Sequence, residues 1–302
     1  KAVVITGLNR AFIAGADISE FGAAASEGVG LGEALEIMEN STKPVIAAIN
    51  GTAFGGGLET ALCCDYRIAA PTAPVGLPEV KLGLLPGAGG TQRLPRLIGA
   101  QAALKAIVSG DPIMAPQAQK LGIVDRIAEG DIVEEGIKYA EEIVAAGSAT
   151  RKIRDLTDKI AGDKGNTAVF EEAAAQLNKT NRGQFAPAQI LKCVEAAVNA
   201  DSFDAGMAVE RECFAACMQD PQREALIHIF FAERAANKIP GLSKEDPLID
   251  INKGSVIGSG TMGGGIAMCF ANAGIPVRLH DNNAENLAKG LKVIEGNYAR
   301  TV

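Results

Sequence analysis

Glu59 and Glu79 each sit in a glycine-framed stretch whose residue types suit proton transfer in a dry pocket. Around the first, the chain reads Ala-Ile-Asn-Gly-Thr-Ala-Phe-Gly-Gly-Gly-Leu-Glu over 48–59. Around the second, it reads Gly-Leu-Pro-Glu-Val-Lys-Leu-Gly-Leu-Leu-Pro-Gly-Ala-Gly-Gly-Thr-Gln-Arg-Leu over 76–94. Upstream lies Arg-Ala-Phe-Ile-Ala-Gly-Ala-Asp-Ile over 10–18. Glycines let a backbone approach a ligand closely. A helix N-terminus adds unpaired N–H groups and the positive end of a dipole. Gly55-Gly56-Gly57, opening a helix that carries Glu59, meets both conditions. Such donors stabilise an oxyanion, and losing one typically costs roughly 3–4 kcal/mol of barrier. A carboxyl among apolar neighbours has its pKa raised and serves as acid or base. Two of them can share one water.

A second constellation lies near the other end. Gly258, Gly260 and Gly263 form G-x-G-x-x-G, and Thr261 and Met262 fill the turn. A short apolar strand precedes it and an apolar helix follows. That context suits a pyrophosphate held at a helix N-terminus. Asp281, about 20 residues further on, ends the next expected strand and suits ribose hydroxyls, favouring NAD over NADP.

The elements that must position these groups follow from periodicity. Residues 2–6, 44–49, 66–70 and 123–127 are short runs rich in Val, Ile and Ala and predict buried strands. Helices are expected over 30–39, from Gly56 to Asp65, over 101–109 and over 116–121. Strand and helix alternate, so an α/β layer structure is expected. Residues 131–240 are dominated by Ala, Glu, Lys and Gln with helical spacing, and turn signals are sparse. They predict helices folding back on the first domain. Pro240 to Asp250 reads as a linker. Strands over 254–257 and 276–279 flank the last glycine-rich turn and its helix. The expected division is an α/β domain over 1–150, a helical segment and linker over 151–250, and the start of a dinucleotide-binding domain over 251–302.

Composition excludes several classes. A net charge of -7 over 302 residues argues against a general nucleic-acid binder. No uncharged apolar run is long enough to span a membrane. Two histidines, His228 and His280, are too few for a polyhistidine metal site, so no metal is expected. Six cysteines without metal or disulfide spacing read as small buried hydrophobes in a reducing compartment. The chain opens at once on a strand and ends in a helical run, which reads as an internal piece of a longer protein.

Taken together, residues 1–127 resemble the enoyl-CoA hydratase/isomerase (crotonase) family, with its motifs in order. The resemblance implies a spiral of ββα turns with further strands before Lys1. It assigns Ala16 and Gly56 as the oxyanion donors and Glu59 and Glu79 as the catalytic pair, without separating acid from base. Asp17 and Arg93 read as loop-pinning residues. The substrate implied is a coenzyme A thioester. The stretch Val-Ile-Gly-Ser-Gly-Thr-Met-Gly-Gly-Gly-Ile-Ala over 256–267 resembles the NAD domain of 3-hydroxyacyl-CoA dehydrogenases. Hydratase followed by dehydrogenase matches the multifunctional β-oxidation enzymes. That match implies hydration of trans-2-enoyl-CoA, NAD-dependent oxidation in the whole protein and a possible thiolase partner. The bacterial cytoplasm is the expected compartment, with a peroxisome as alternative. A Δ3-Δ2-enoyl-CoA isomerase and a non-catalytic nucleotide-binding or assembly module are the competing readings.

Overall fold

Five successive residues, Val45–Ile49, are each buried to 2% exposure or less, so this strand has apolar matter on both faces. Val45, Ala47 and Ile49 enter the main core, and Ile46 and Ala48 enter a second cluster with Ile68, Ala140 and Ile143. Burying each Val or Ile contributes about 1.5–3 kcal/mol. The structure is a computed structural model and describes residues 1–18, 30–147, 150–236, 238–243, 246–247 and 249–301. Residues 244, 245 and 248 of the expected linker lie outside the described residues.

The chain divides into two units, Lys1–Asn237 and Lys238–Val302. The first opens with three similar turns. Strand β1 (Val3–Thr6), strand β2 (Ala11–Ile13) and helix α1 (Leu31–Glu39) form one. Strand β3 (Val45–Ile49), strand β4 (Thr52–Phe54) and helix α2 (Gly56–Cys63) form the next. Strand β5 (Tyr66–Ala69), strand β6 (Pro74–Gly76), a 3₁₀ turn over Pro78–Leu82 and helix α3 (Gly90–Ile98) form the third. Odd-numbered strands build one sheet, ordered β1-β3-β5-β8, and even-numbered strands the other, β2-β4-β6-β7. The later members are β7 (Ile113–Met114) and β8 (Arg126–Ile127). All pairs are parallel except β6 with β7. This is the ββα repeat that the family resemblance implies.

Helices α4 (Ala100–Ser109), α5 (Ala115–Leu121) and α6 (Ile132–Ala145) follow. Asp131 caps α6 by accepting from the N–H groups of Val133 and Glu134. The helical segment then gives α7 (Thr167–Thr180), α8 (Ala186–Asn199), α9 (Phe203–Gln219) and α10 (Pro221–Ala236). These helices share the first unit with the α/β part: α8 packs on α3, α4 and α9, and α10 packs on the Pro78–Leu82 turn. The second unit holds β9 (Gly254–Ile257), α11 (Thr261–Asn272), β10 (Val277–His280) and α12 (Ala284–Ala299), with β9 and β10 parallel. Five of the six cysteines are buried, and Cys269 is exposed. Among the described residues, no helix is long and apolar enough to cross a membrane, and no metal-ligating cluster of three acidic, Cys or His residues occurs.

Arg67, on β5, is fully buried. Its Nε donates to Ile123 O at 2.8 Å, its Nη1 to Cys64 O at 2.8 Å, and its Nη2 reaches Asp125 Oδ2 at 3.4 Å. The second oxygen of Asp125 accepts from Arg151 Nη2 at 2.6 Å. A guanidinium therefore ties the end of α2 to the β8 edge, deep in the unit. Removing one partner of a buried pair costs about 3–5 kcal/mol, because the other is left uncompensated. Arg67→Leu is expected to lower the stability of the first unit by about that much, as a reduced urea midpoint at unchanged slope.

Candidate active site

Strands β4 and β6 lie side by side and parallel, with Ala53 opposite Val75 and Phe54 opposite Gly76. The chain leaves both strands at the same level. Glu59 sits in the first turns of the helix after β4, and Glu79 in the 3₁₀ turn after β6. The register thus delivers both carboxyls beyond the carboxyl ends of two neighbouring strands. The turn between β4 and α2 is tight: Gly55 has φ +54° and donates its N–H to Gly76 O at 2.9 Å. A Cβ there would stand 3.0 Å from Glu79 Oε1. Glycine at 55 therefore lets the Glu79 carboxyl lie directly against the turn that opens α2.

The two glutamates and both expected oxyanion donors line one cavity of about 260 Å³, walled also by Leu85 and Phe214. Gly56 is the first residue of α2, so its N–H has no acceptor within the helix. Ala16 faces the same space from the segment after β2. Glu59 is only 2% exposed. Its Oε1 accepts from Ala88 N at 2.7 Å and Gly90 N at 2.9 Å. Glu79 as a residue is half-buried, but its Oε2 is shut off from solvent and has no hydrogen-bond partner among the described residues.

This difference sets their protonation. Burial raises the pKa of Glu59, but the amides of Gly90 and Ala88 and the charge of Arg93 pull it back. Burial raises Glu79 well above the ordinary range, and the charge of Glu59 pushes it further. When the pair carries one negative charge, that charge belongs on Glu59 and the proton on Glu79.

Arg93 acts as a pin. Its Nε and Nη2 donate to Glu39 at 2.9 and 2.8 Å, and its Nη1 donates to Ala88 O at 3.1 Å. The loop over Glu59 is thereby fastened to the end of α1.

A third buried carboxyl escapes the sequence reading. Glu210 is fully buried on α9. Its Oε1 accepts from Gly89 N at 2.7 Å, and its Oε2 from Thr91 N at 3.2 Å and from the Thr91 hydroxyl. Burial first, and the charge of Glu59 second, push its pKa up to about 8. Read locally, Val-Glu-Arg-Glu over 209–212 resembles a solvated helical face. The available signal is its stripe: Gly206, Glu210, Cys213 and Cys217 share the buried side of α9.

In the second unit, the sequence-predicted residues gather at the exit of β9. Gly258 has φ +98°, and a Cβ on Gly263 would stand 1.7 Å from Gly258 O, so the turn closes only with glycine there. Gly260 precedes α11, and no side chain among the described residues caps that helix. Its first N–H groups remain available to an anion. Ser259, Gly260, Thr261 and Asp281 line a cavity of about 410 Å³, with Asn286 and Lys289. Asp281 Oδ2 accepts from Ser259 Oγ at 2.6 Å and Ser259 N at 2.8 Å. These bonds hold its carboxyl below the usual range. Met262 projects outward, 79% exposed. An open helix end with a glycine-only turn and an ionised acid fits a dinucleotide.

The chain belongs to the enoyl-CoA hydratase/isomerase family, which it matches over residues 1–184. Residues 253–302 match the NAD-binding domain of 3-hydroxyacyl-CoA dehydrogenase. The peroxisomal bifunctional enzyme of Homo sapiens is 43% identical over 298 residues, covering 97% of this chain and 41% of that protein. The fatty acid oxidation complex subunit alpha of Shewanella loihica is 39% identical, over 96% of this chain and 42% of that protein. The chain thus spans about two fifths of the length of these relatives. Among solved structures, an enoyl-CoA hydratase/isomerase from Pseudoalteromonas atlantica aligns with a TM-score of 0.54 at 23% identity, over 80% of this chain and 82% of that one, which shows the shared fold.

The charge arrangement has a consequence for stability. A carboxyl whose folded pKa is raised contributes stability below the unfolded value, here 4.5, and loses it as pH rises toward the folded value. Glutamine does not ionise. Glu79→Gln is therefore expected to match wild type near about pH 4 and to gain in Tm progressively above it. A Tm difference that stays flat with pH would refute the raised pKa.

Proposed function

We propose that the first unit hydrates trans-2-enoyl-CoA thioesters to 3-hydroxyacyl-CoA. The observation that carries this reading is the cavity in which Ala16, Gly56, Glu59 and Glu79 meet, with the two carboxyls inclined to opposite protonation states. The thioester oxygen lies between the N–H groups of Ala16 and Gly56, which stabilise the enolate as it forms. Glu59, ionised and steadied by Ala88 and Gly90, takes a proton from water as the water oxygen bonds to the β-carbon. The electrons of the double bond pass to the thioester oxygen. Glu79 then gives its proton to the α-carbon, and its unpartnered Oε2 offers no competing bond within the described residues. The product gains one water, and the proton balance is restored by exchange between the carboxyls and solvent.

Isomerisation of a Δ3 to a Δ2 double bond is a second reading of the same cavity. It asks only for one carboxyl that can take and return a proton, and the free Oε2 of Glu79 fits that task. A non-catalytic nucleotide-binding or assembly module has no use for two glutamate carboxyls around a donor-lined cavity.

In the whole protein, Gly258, Gly260, Thr261, Met262, Gly263 and Asp281 would form part of an NAD site. Asp281 would serve the ribose hydroxyls, and the open end of α11 would take the pyrophosphate. When bound, NAD supplies hydride acceptance. The 3-hydroxyacyl thioester made by the first site is the alcohol such a site would oxidise, and a thiolase is the partner whose chemistry consumes the resulting ketone. We place the protein in the bacterial cytoplasm or the peroxisomal matrix, since the named relatives span both kinds of source.

The test is loss of the conjugated enoyl-thioester absorbance of a short trans-2-enoyl-CoA without NAD. Positioned general acids and bases typically contribute about 10²–10⁴-fold. Glu59→Gln and Glu79→Gln are each expected to lower kcat by that order, and the double variant little further, because the pair acts as a unit. Undiminished hydration in either variant would remove that residue from the mechanism. Retained isomerisation with lost hydration in Glu59→Gln would support the second reading.

A further inference from the structure

The four consecutive peptide N–H groups of Ala88, Gly89, Gly90 and Thr91 are shared between two carboxyls in strict alternation. Those of 88 and 90 go to Glu59, and those of 89 and 91 go to Glu210. Gly89 and Thr91 are the only residues that Glu210 holds by side-chain bonds among those described, and the Thr91 hydroxyl completes the set. The loop is also tied to α8, because Gln92 Nε2 donates to Cys193 O at 2.8 Å and to Thr91 Oγ1 at 2.9 Å. The foot of α9 is fixed in turn. Phe203 lies under the guanidinium groups of Arg93, Arg96 and Arg154 at 4.9, 5.1 and 4.7 Å from its ring centre. Arg154 Nη2 donates to Asp204 at 2.7 Å.

We propose that Glu210 is a positioning residue for the reaction: by holding Gly89 and Thr91 it aims the Ala88 and Gly90 N–H groups at Glu59, and so sets the orientation and charge of that base. The proposal rests on the two-glutamate hydratase reading and deepens it. A neutral side chain, or simple apolar packing, would fill the same space at lower desolvation cost. A carboxyl here instead sets a third titratable acid beside an existing acidic pair. The charged and titratable groups around it are Glu59 on α2, Glu79 on the 3₁₀ turn, Arg93 on α3 and Cys193 on α8. Of these only Arg93 is cationic, and it is already engaged by Glu39. Below about pH 8 Glu210 keeps its proton. Above that it becomes an anion that resists loss of the proton on Glu79. Glu210 thereby extends the alkaline side of the pH range in which Glu79 remains an acid.

Three readouts on the full chain test this: steady-state hydration across pH, thermal unfolding, and amide hydrogen exchange at residues 88–91. Glu210→Gln is expected to lower kcat by about tenfold or more with KM within about twofold. Its alkaline limb is expected to move to lower pH by about half a unit or more, and its acid limb to higher pH as the amides that pull Glu59 down lose their aim. Amide exchange at 88–91 is expected to quicken. Thr91→Val, which keeps the backbone bonds and loses the hydroxyl, is expected to give a smaller loss of kcat in the same pattern. It also carries the test if Glu210→Gln does not fold. A Glu210→Gln variant with wild-type kcat, pH limbs and exchange overturns the proposal. So does a loss of activity that only tracks the loss of folded protein, with both limbs unmoved. Failure of wild type to hydrate the thioester, with faster exchange still seen in the variant, would instead strike the hydratase reading and leave the loop-holding role standing.

Discussion

The site depends on one short run of backbone, residues 88–91 leading into α3, whose amides must satisfy carboxyls buried away from bulk solvent. An isolated ionised carboxylate in an apolar interior costs several kcal/mol unless hydrogen-bonded. Glu59 meets that requirement with the N–H of Ala88, just before the helix, and that of Gly90, which the start of α3 leaves unpaired. Among the described residues Glu79 has no such donors at Oε2, and it meets the requirement by keeping its proton. The functional asymmetry of two identical side chains follows from where a helix begins.

The repeat of β-strand, β-strand and helix explains why that helix end lies where it does. Each turn sends its first strand to one sheet and its second to the other. Consecutive turns therefore place their second strands side by side, and β4 and β6 release Glu59 and Glu79 at neighbouring points. The core beneath is built from runs such as Val45–Ile49, buried on both faces, and from the guanidinium of Arg67. A firm base of this kind matters because three buried carboxyls work against folding. The apolar clusters offset that cost near the site.

Local features were legible in the sequence, and features made by distant contacts were not. The strand over 254–257 and the helices after Gly30 and Gly56 agree closely with the structure, because each is bounded by its own glycine, asparagine or proline. The second sheet follows from the family resemblance, and periodicity alone does not show its strands. Its strands, Ala11–Ile13, Thr52–Phe54 and Pro74–Gly76, are three residues long, too short to show a period. Helix α3 is hidden in the sequence because it opens on glycine and contains Pro95, both ordinary signs of a break. Pro95 lies in the second turn, where it gives up the N–H that would bond the Thr91 carbonyl. Residues 123–127 looked like one strand, but only Arg126–Ile127 pairs, since Ile123 and Val124 spend their apolar side chains in the core beside α5. The glutamates 59 and 79 could be read from their glycine frames. Glu210 could not, because nothing near it in the chain reports that α9 would lay this face over residues 89–91.

That last point changes how the helical segment is understood. Composition reads 131–240 as helices folding back on the first domain, which leaves open whether they are more than a spacer. Yet α9 supplies Phe214 to the cavity wall and Glu210 to the loop, and α10 packs on the turn that carries Glu79. A spacer would be exchangeable for any helices of similar length. These helices are not, because their side chains complete hydrogen bonds that the α/β part cannot complete by itself. Without Glu210, the N–H groups of Gly89 and Thr91 would sit buried and unpaired one residue away from those that hold Glu59, and an unpaired buried N–H costs about 1–3 kcal/mol. The same carboxyl that satisfies them sits beside Glu59 and Glu79. Support and electrostatic tuning of the site are therefore a single interaction, made by a helix more than a hundred residues downstream of the loop it holds.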